Sequence, residues 1–199
     1  TGGLDRLQEE TNAPVRCHPK LVDRLRKILD NNEVVIPLRS RERIATGGGV
    51  GLRALFTPGH EVDHVCYYLR EDRVMFTGDT VLGASSTSVG DLSAYVKSLE
   101  LLTTFGHDTV CPAHGPVVPP PRGGGLVKWQ LEHRLNREKQ VKAALGKGLS
   151  GVSDITSDIY PSNLKKGLRP SAERNVSTHL KKLIDDGIVQ EVASAYSLK

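Results

Sequence analysis

Three segments of this chain share one design, and together they constrain its fold more than any other feature. Thr57-Pro58-Gly59-His60, Thr77-Gly78-Asp79 and Cys111-Pro112-Ala113-His114-Gly115 each lead a strand-like run into a glycine-containing turn that presents a metal-competent side chain. Strand ends are rigid and hold ligands accurately, and glycine lets the backbone come close to an ion or substrate. Two imidazoles and a carboxylate make a borderline-hard donor set that suits Zn2+, with Fe or Mn as alternatives. His60, Asp79 and His114 lie 19 and 35 residues apart, so only a tertiary fold can assemble them. Taken singly, each reads more readily as an ordinary turn or core residue than as a ligand.

The pattern around these turns is mixed strand and helix. Helices are expected over Asp5–Glu10, over Pro19–Leu29 with Leu21, Leu25, Ile28 and Leu29 on one face, and over Asp91–Leu102. Strands are expected at Val15–His18, Val34–Leu38, Gly51–Phe56 and Thr109–Cys111, with Gly47-Gly48-Gly49 as a turn. Val65–Leu69 and Val74–Thr77 flank a charged tetrad and read as a hairpin. Pro119-Pro120-Pro121-Arg122-Gly123-Gly124-Gly125 marks a break, stiff and then flexible, so the chain divides into 1–118, a linker over 119–125, and 126–199. Beyond it the pattern turns helical over Leu126–Leu145, Ser153–Tyr160 and Ser171–Asp186, the last with Val176, Leu180, Leu183 and Ile184 as its apolar stripe. Ile188–Val192 and Ala195–Leu198 can form a terminal ribbon, and helices followed by a ribbon outline a winged-helix module.

Composition excludes several classes. At 199 residues, 38% hydrophobic and 25% charged, the chain has room for one ordinary domain and a small second one, and it is no coiled coil, collagen or disordered tail. Its longest apolar runs fall far short of the ~20 residues that span a bilayer. The net charge of +4 is uneven: residues 1–125 carry −1 and residues 126–199 carry +5. Such an excess suits nucleic acid or an acidic carrier, and it also suits a plain solvated helical surface. Cys17, Cys66 and Cys111 are odd in number and widely spaced, which fits reduced core thiols in an intracellular protein, cytoplasmic or mitochondrial. Asn175-Val176-Ser177 falls on an expected helix and is discounted as a glycosylation site. His18, His107, His133 and His179 read as surface or hydrogen-bonded residues. No Gly-x-Ser-x-Gly elbow, Walker loop or activated cysteine is present. The chain opens at Thr1, holds Met75 as its sole methionine, and starts too polar and acidic for a targeting peptide, so it reads as a portion of a longer product.

Thr57–His64, Phe76-Thr77-Gly78-Asp79 and Pro112-Ala113-His114-Gly115-Pro116 resemble the later motifs of the metallo-β-lactamase superfamily. The extra C-terminal part narrows the resemblance to the beta-lactamase-like protein 2 branch and its fungal thioesterase relatives. Val81-Leu82-Gly83, Glu132-His133-Arg134 with Arg137-Glu138, and Leu180-Lys181-Lys182-Leu183 resemble that branch too. The resemblance implies an α/β (α+β) fold: part of an αββα sandwich followed by a small winged-helix-like domain. It implies a binuclear Zn2+ site, two ions per full-length chain, whose bridging hydroxide is the nucleophile. His60 would bind the first metal, Asp79 would bridge both and His114 would bind the second, with Asp79 and His64 as catalytic residues. Asp63, on the same turn as His60, is the expected acceptor for that ring's second nitrogen, and His64 is expected to support the ligands or face substrate.

One departure matters more than the matches. The family's first signature, His-x-His-x-Asp-His, is absent. In relatives a small residue and Gly-Gly follow it, and this chain opens Thr1-Gly2-Gly3, as though it begins just past the missing ligands. One histidine per ion plus the bridge is too few for a catalytic zinc site, and one sheet face is expected to be uncovered. The chain is therefore expected to be an inactive part of a hydrolase, or else a non-catalytic binding remnant. For the whole protein the resemblance implies endoribonuclease action on single-stranded RNA, taken as the lead, or hydrolysis of a thioester on an acyl carrier protein. Few aromatic residues are available for base stacking in the basic part.

Overall fold

The computed structural model describes residues 2–29, 32–165 and 167–199; Thr1 of the Thr-Gly-Gly opening lies outside the described residues. The chain begins with a small unit of α1 (Leu4–Thr11), β1 (Val15–Cys17), α2 (Val22–Arg26) and β2 (Val35–Pro37), with β1 and β2 paired in parallel. Cys17, Leu25, Leu29 and Val35 form its core. The helix expected over Pro19–Leu29 is interrupted. A 3-10 turn over Pro19–Leu21, capped by the His18 ring accepting from the Lys20 amide, leads into α2, which ends at Arg26. Ile28, expected on the buried face, is 41% exposed because the helix stops before reaching it.

A five-stranded sheet follows, in the order β3 (Arg43–Gly47), β4 (Val50–Phe56), β5 (Val65–Leu69), β6 (Val74–Gly78) and β7 (Thr109–Pro112). Strand β3 has no counterpart in the sequence pattern: it is an edge strand facing solvent for most of its length, so no apolar alternation marks it. The hairpin β5–β6 has Tyr67 opposite Phe76 and Leu69 opposite Val74. Arg73 in its turn donates to Asp108 at 2.6 and 3.0 Å, which ties the hairpin to the start of β7. Strand β7 runs parallel to β6, bringing Pro112 beside Gly78.

The two sheet faces differ. Leu55, Cys66, Tyr68 and Met75 pack beneath α3 (Leu92–Thr103), whose Leu92, Tyr95, Val96, Leu99 and Leu102 fill the main core. Asp91 caps α3 by accepting from the Ala94 amide. The other face carries Leu52, Phe56, Val65, Tyr67, Leu69, Val74 and Phe76. It is only partly covered, with the His18 ring tilted against Phe56 and Phe76 left 39% exposed.

The break at 119–125 is not a flexible linker. Gly123-Gly124-Gly125 is the first turn of α4 (Gly123–Gly146), and a Cβ on Gly123 would lie 2.3 Å from the carbonyl oxygens of both Asp108 and Val118. The glycine is there for close packing, not for mobility. Helix α4 serves two cores: Val127 packs in the first, and Val141, Ala144 and Leu145 pack in the second. The second core is completed by α5 (Val152–Ile159), α6 (Arg169–Asp185) and the ribbon of β8 (Val189–Val192) and β9 (Ala195–Leu198), through Ile155, Val176, Leu180, Leu183 and Val189. Among the described residues no helix is long and apolar enough to cross a membrane.

His179 corrects an expectation. It is fully buried, and neither ring nitrogen has a hydrogen-bond partner. Its place on α6 explains this, since it sits between Val176 and Leu180 in the inward stripe. Burial, then the nearby charges of Arg134, Arg137 and Lys182 and the His133 ring, push its pKa down to about 3. The unfolded chain binds a proton near pH 6.5 and the folded one does not, so stability is intact above pH 6.5 and falls as pH drops toward 3. The slope is at most about 1.4 kcal/mol per pH unit. Urea unfolding at pH 7.5 and 4.5 is expected to show this loss, and His179→Leu should remove most of it without weakening the protein at pH 7.5. Helix propensity alone makes Gly123→Ala stabilising by roughly 1 kcal/mol. Overpacking makes it destabilising by about 1–3 kcal/mol, and a lowered Tm is the expected result.

A candidate metal centre at three strand ends

The three sequence turns converge at one end of the sheet. Asp79 follows β6 and lies between two imidazoles: its Oδ2 is 3.8 Å from His60 Nε2, and its Oδ1 is 3.4 Å from His114 Nε2. The parallel pairing of β6 with β7 makes this possible, and the Ala113 amide donates to the Gly78 carbonyl at 2.9 Å just beyond the register. His60 and Asp79 are half-buried, whereas the His114 side chain is 75% exposed.

The His60 turn is held against α3. Gly59 has φ 137°, and a Cβ there would come 2.4 Å from the Tyr95 backbone, so no other residue fits without displacement. The amides of Gly90 and Asp91 donate to the Gly59 carbonyl. His60 Nδ1 donates to the Ser88 carbonyl at 2.9 Å, with Thr87 Oγ1 at 3.2 Å. That partner replaces the expected Asp63. Because a carbonyl can only accept, Nδ1 carries a proton, and in the neutral ring it is the lone pair of Nε2 that faces the Asp79 carboxylate. Two lone-pair groups facing each other favour a cation between them.

His64 is a support beneath this layer. Its Nε2 accepts from the Asp79 amide at 3.1 Å, and its Nδ1 meets Thr57 Oγ1 at 2.9 Å and Thr80 Oγ1 at 3.1 Å. Both nitrogens are engaged with the protein. Burial, followed by the neighbouring His60, holds its pKa below the usual histidine value. Gly78, at φ 52°, leaves room for it: a Cβ there would lie 2.6 Å from His64 Nε2. Nearby Cys66 is inert, its thiol pushed up to about 11 by burial. Among the described residues all three cysteines are free, Cys17 and Cys66 buried and Cys111 half-buried.

Sequence reasoning missed Thr57, Thr80, Thr87 and Ser88, which orient the two histidines without bearing any metal signature themselves. Among the described residues no group of three or more His, Cys, Asp and Glu side chains could hold a metal ion. His60, His114 and the shared carboxylate offer each position two protein donors, where a catalytic zinc ion takes at least three. The set has the right chemistry and does not complete a two-metal site.

Sheet, strand-end turns and terminal ribbon together define a class. The metallo-beta-lactamase superfamily matches residues 1–114, the beta-lactamase associated winged helix domain matches residues 152–197, and the chain belongs to the metallo-beta-lactamase superfamily. Among its relatives, a beta-lactamase-like protein 2 homolog of Caenorhabditis elegans is 30% identical over 95% of this chain. An atrochrysone carboxyl ACP thioesterase of Pseudocercospora fijiensis is 34% identical, again over 95% of this chain. The chain spans 62% and 56% of the lengths of these two relatives. In fold it is similar to a metallo-beta-lactamase family protein of Thermus thermophilus, with a TM-score of 0.70 and 20% identity over 100% of this chain and 75% of that one.

Gly78→Ala tests the support under Asp79. A left-handed backbone costs a non-glycine residue about 1–2 kcal/mol, and the contact with His64 adds to that. A loss of about 2–3 kcal/mol in urea unfolding is expected, together with a changed nitrogen NMR shift of the His64 ring. An unchanged ring shift would contradict the support role.

Proposed function

We propose that this chain carries the carboxylate-centred half of a hydrolase metal site, and that the whole enzyme hydrolyses an acyl thioester on a carrier protein. The observation that carries the hydrolase reading is the placement of Asp79, with each oxygen turned to a different imidazole and its amide anchored on His64. Here His60 and His114 present nitrogen donors, Asp79 is positioned to be shared, and Ser88 holds His60 in the tautomer a metal requires. The donor count leaves the chain inactive by itself. The reading of a non-catalytic remnant rests on the same count, and metal analysis with turnover of a longer form separates the two.

The choice of a thioester over RNA, the lead taken from the sequence, rests on the cleft beside the loop that holds His60. The cleft that begins at Ser88 is lined by hydroxyls, an amide and two arginines, with no aromatic side chain on which a base could stack, whereas the hollow that contains His60 itself is lined by Phe56 and His18. A relative matched over nearly the whole chain is named as an ACP thioesterase. Endoribonuclease action is the second reading. It is favoured by the +5 charge of residues 126–199 and by Trp129, exposed on α4 and stacked on His133 at 5.4 Å.

Zinc analysis of the dialysed chain is expected to find less than one retained ion and no turnover; two ions with turnover would overturn the half-site reading. In a longer form that includes a His-x-His-x-Asp-His segment, Asp79→Ala is expected to reduce thioester hydrolysis by roughly a thousandfold with an unchanged circular dichroism spectrum. Retained activity would refute the shared-ligand role. Cleavage of RNA without thioester hydrolysis would remove the carrier assignment and leave the hydrolase class standing.

A further inference from the structure

A cleft of about 500 Å3 lies between the loop at 86–89 and α6, where the metallo-β-lactamase part meets the winged-helix part. Thr87, Ser88, Arg134, Ser171, Arg174 and Asn175 line it, and none of the described lining residues is acidic. Arg134, from α4, is 5% exposed. Its guanidinium donates to the Thr87 carbonyl at 3.2 Å and to Asn175 Oδ1 at 3.1 Å, while its Nε has no partner. Two acids on the neighbouring turns are engaged elsewhere: Glu138 pairs with Lys182 and Glu173 with Arg169. Among the described residues no carboxylate pairs with this buried guanidinium, and neutral acceptors with the Tyr95 ring at 5.4 Å offset only part of the cost of burying it. Arg174 stands exposed on α6, its side chain donating to Ser171 Oγ at 2.9 Å. Two cations, several hydroxyls and no carboxylate make a binding surface for a tetrahedral anion.

The cleft adjoins the loop that orients His60, while His60 itself lines a neighbouring hollow. Ser88, one of its lining residues, holds His60 through its carbonyl, and Thr87 bonds Arg134 through its carbonyl and reaches His60 through its hydroxyl. We infer that this cleft is a phosphate-ester subsite beside the loop that orients His60, in which Arg134 and Arg174 anchor the phosphate of a carrier's phosphopantetheinyl arm. The absence of aromatic side chains favours this flexible aliphatic arm over nucleotides. The inference rests on the thioester reading above and adds to it the residues that select a phosphorylated arm.

The test measures binding of pantetheine 4′-phosphate, pantetheine and oligouridylate to the chain by calorimetry, with the chain as it stands and with R174Q. Arg174 is exposed and R174Q is expected to leave Tm unchanged. Pantetheine 4′-phosphate should bind at least tenfold more tightly than pantetheine, R174Q should erase most of that difference, and added inorganic phosphate should compete. A second variant, R134M, checked by circular dichroism, should abolish the phosphate dependence. Equal binding of pantetheine and its phosphate, or an R174Q chain that keeps the full difference, overturns the subsite. If a longer form hydrolyses a carrier thioester at a rate R174Q does not change, the subsite alone is overturned and the thioester reading stands. Tight binding of oligouridylate with none of pantetheine 4′-phosphate overturns both.

Discussion

The seating of α4 is the constraint on which the rest of this structure depends. Its first turn lies so close to the carbonyls of Asp108 and Val118 that only glycine fits at position 123. Further along, Gln130 donates to the Tyr95 hydroxyl, and beyond it Arg134 reaches the Thr87 carbonyl. The same helix continues into the core of the winged-helix part. A rod of 24 residues, about 36 Å long, thus belongs to both halves and fixes their relation.

That relation bears directly on the candidate metal centre. The loop at 86–89 has two duties, because Ser88 and Thr87 face His60 on one side and Thr87 meets Arg134 on the other. The orientation of a ligand histidine and the floor of the cleft between the domains are therefore properties of one short segment. On the opposite flank, His64 supports the Asp79 turn from below with two threonine hydroxyls and an amide. Neutral imidazole is the form that can accept from an amide, and burial keeps it in that form.

Most of the element order was legible in the sequence, and the exceptions share a cause. The hairpin around Arg70–Arg73, the α3 stripe and the terminal ribbon were marked by strong periodicity next to turn residues, and all are present. Strand β3 went unseen because its side chains face solvent and its place is set by pairing with β4. The triglycine was read as flexible because composition records a missing side chain and not the carbonyls packed against it. By residue type His179 reads as a surface or hydrogen-bonded residue, although its position within the α6 stripe points inward; residue type outweighed periodicity. Among site residues, the turns bearing His60, Asp79 and His114 stood out through glycine and donor chemistry. The acceptor for His60 could not be found the same way, since a serine carbonyl 28 residues away carries no side-chain signal.

By itself, the sequence determined the donor types, the turns that present them, the absence of a His-x-His-x-Asp-His segment and the change to a basic helical part after residue 126. Those are local properties, written in residue type and spacing. Only the tertiary structure decided that Asp79 sits between two imidazoles, that Ser88 and not Asp63 orients His60, and that an arginine lies buried beside the same loop with no carboxylate paired to it among the described residues. These depend on contacts between segments tens of residues apart, brought together by strand pairing and helix packing that no local pattern encodes.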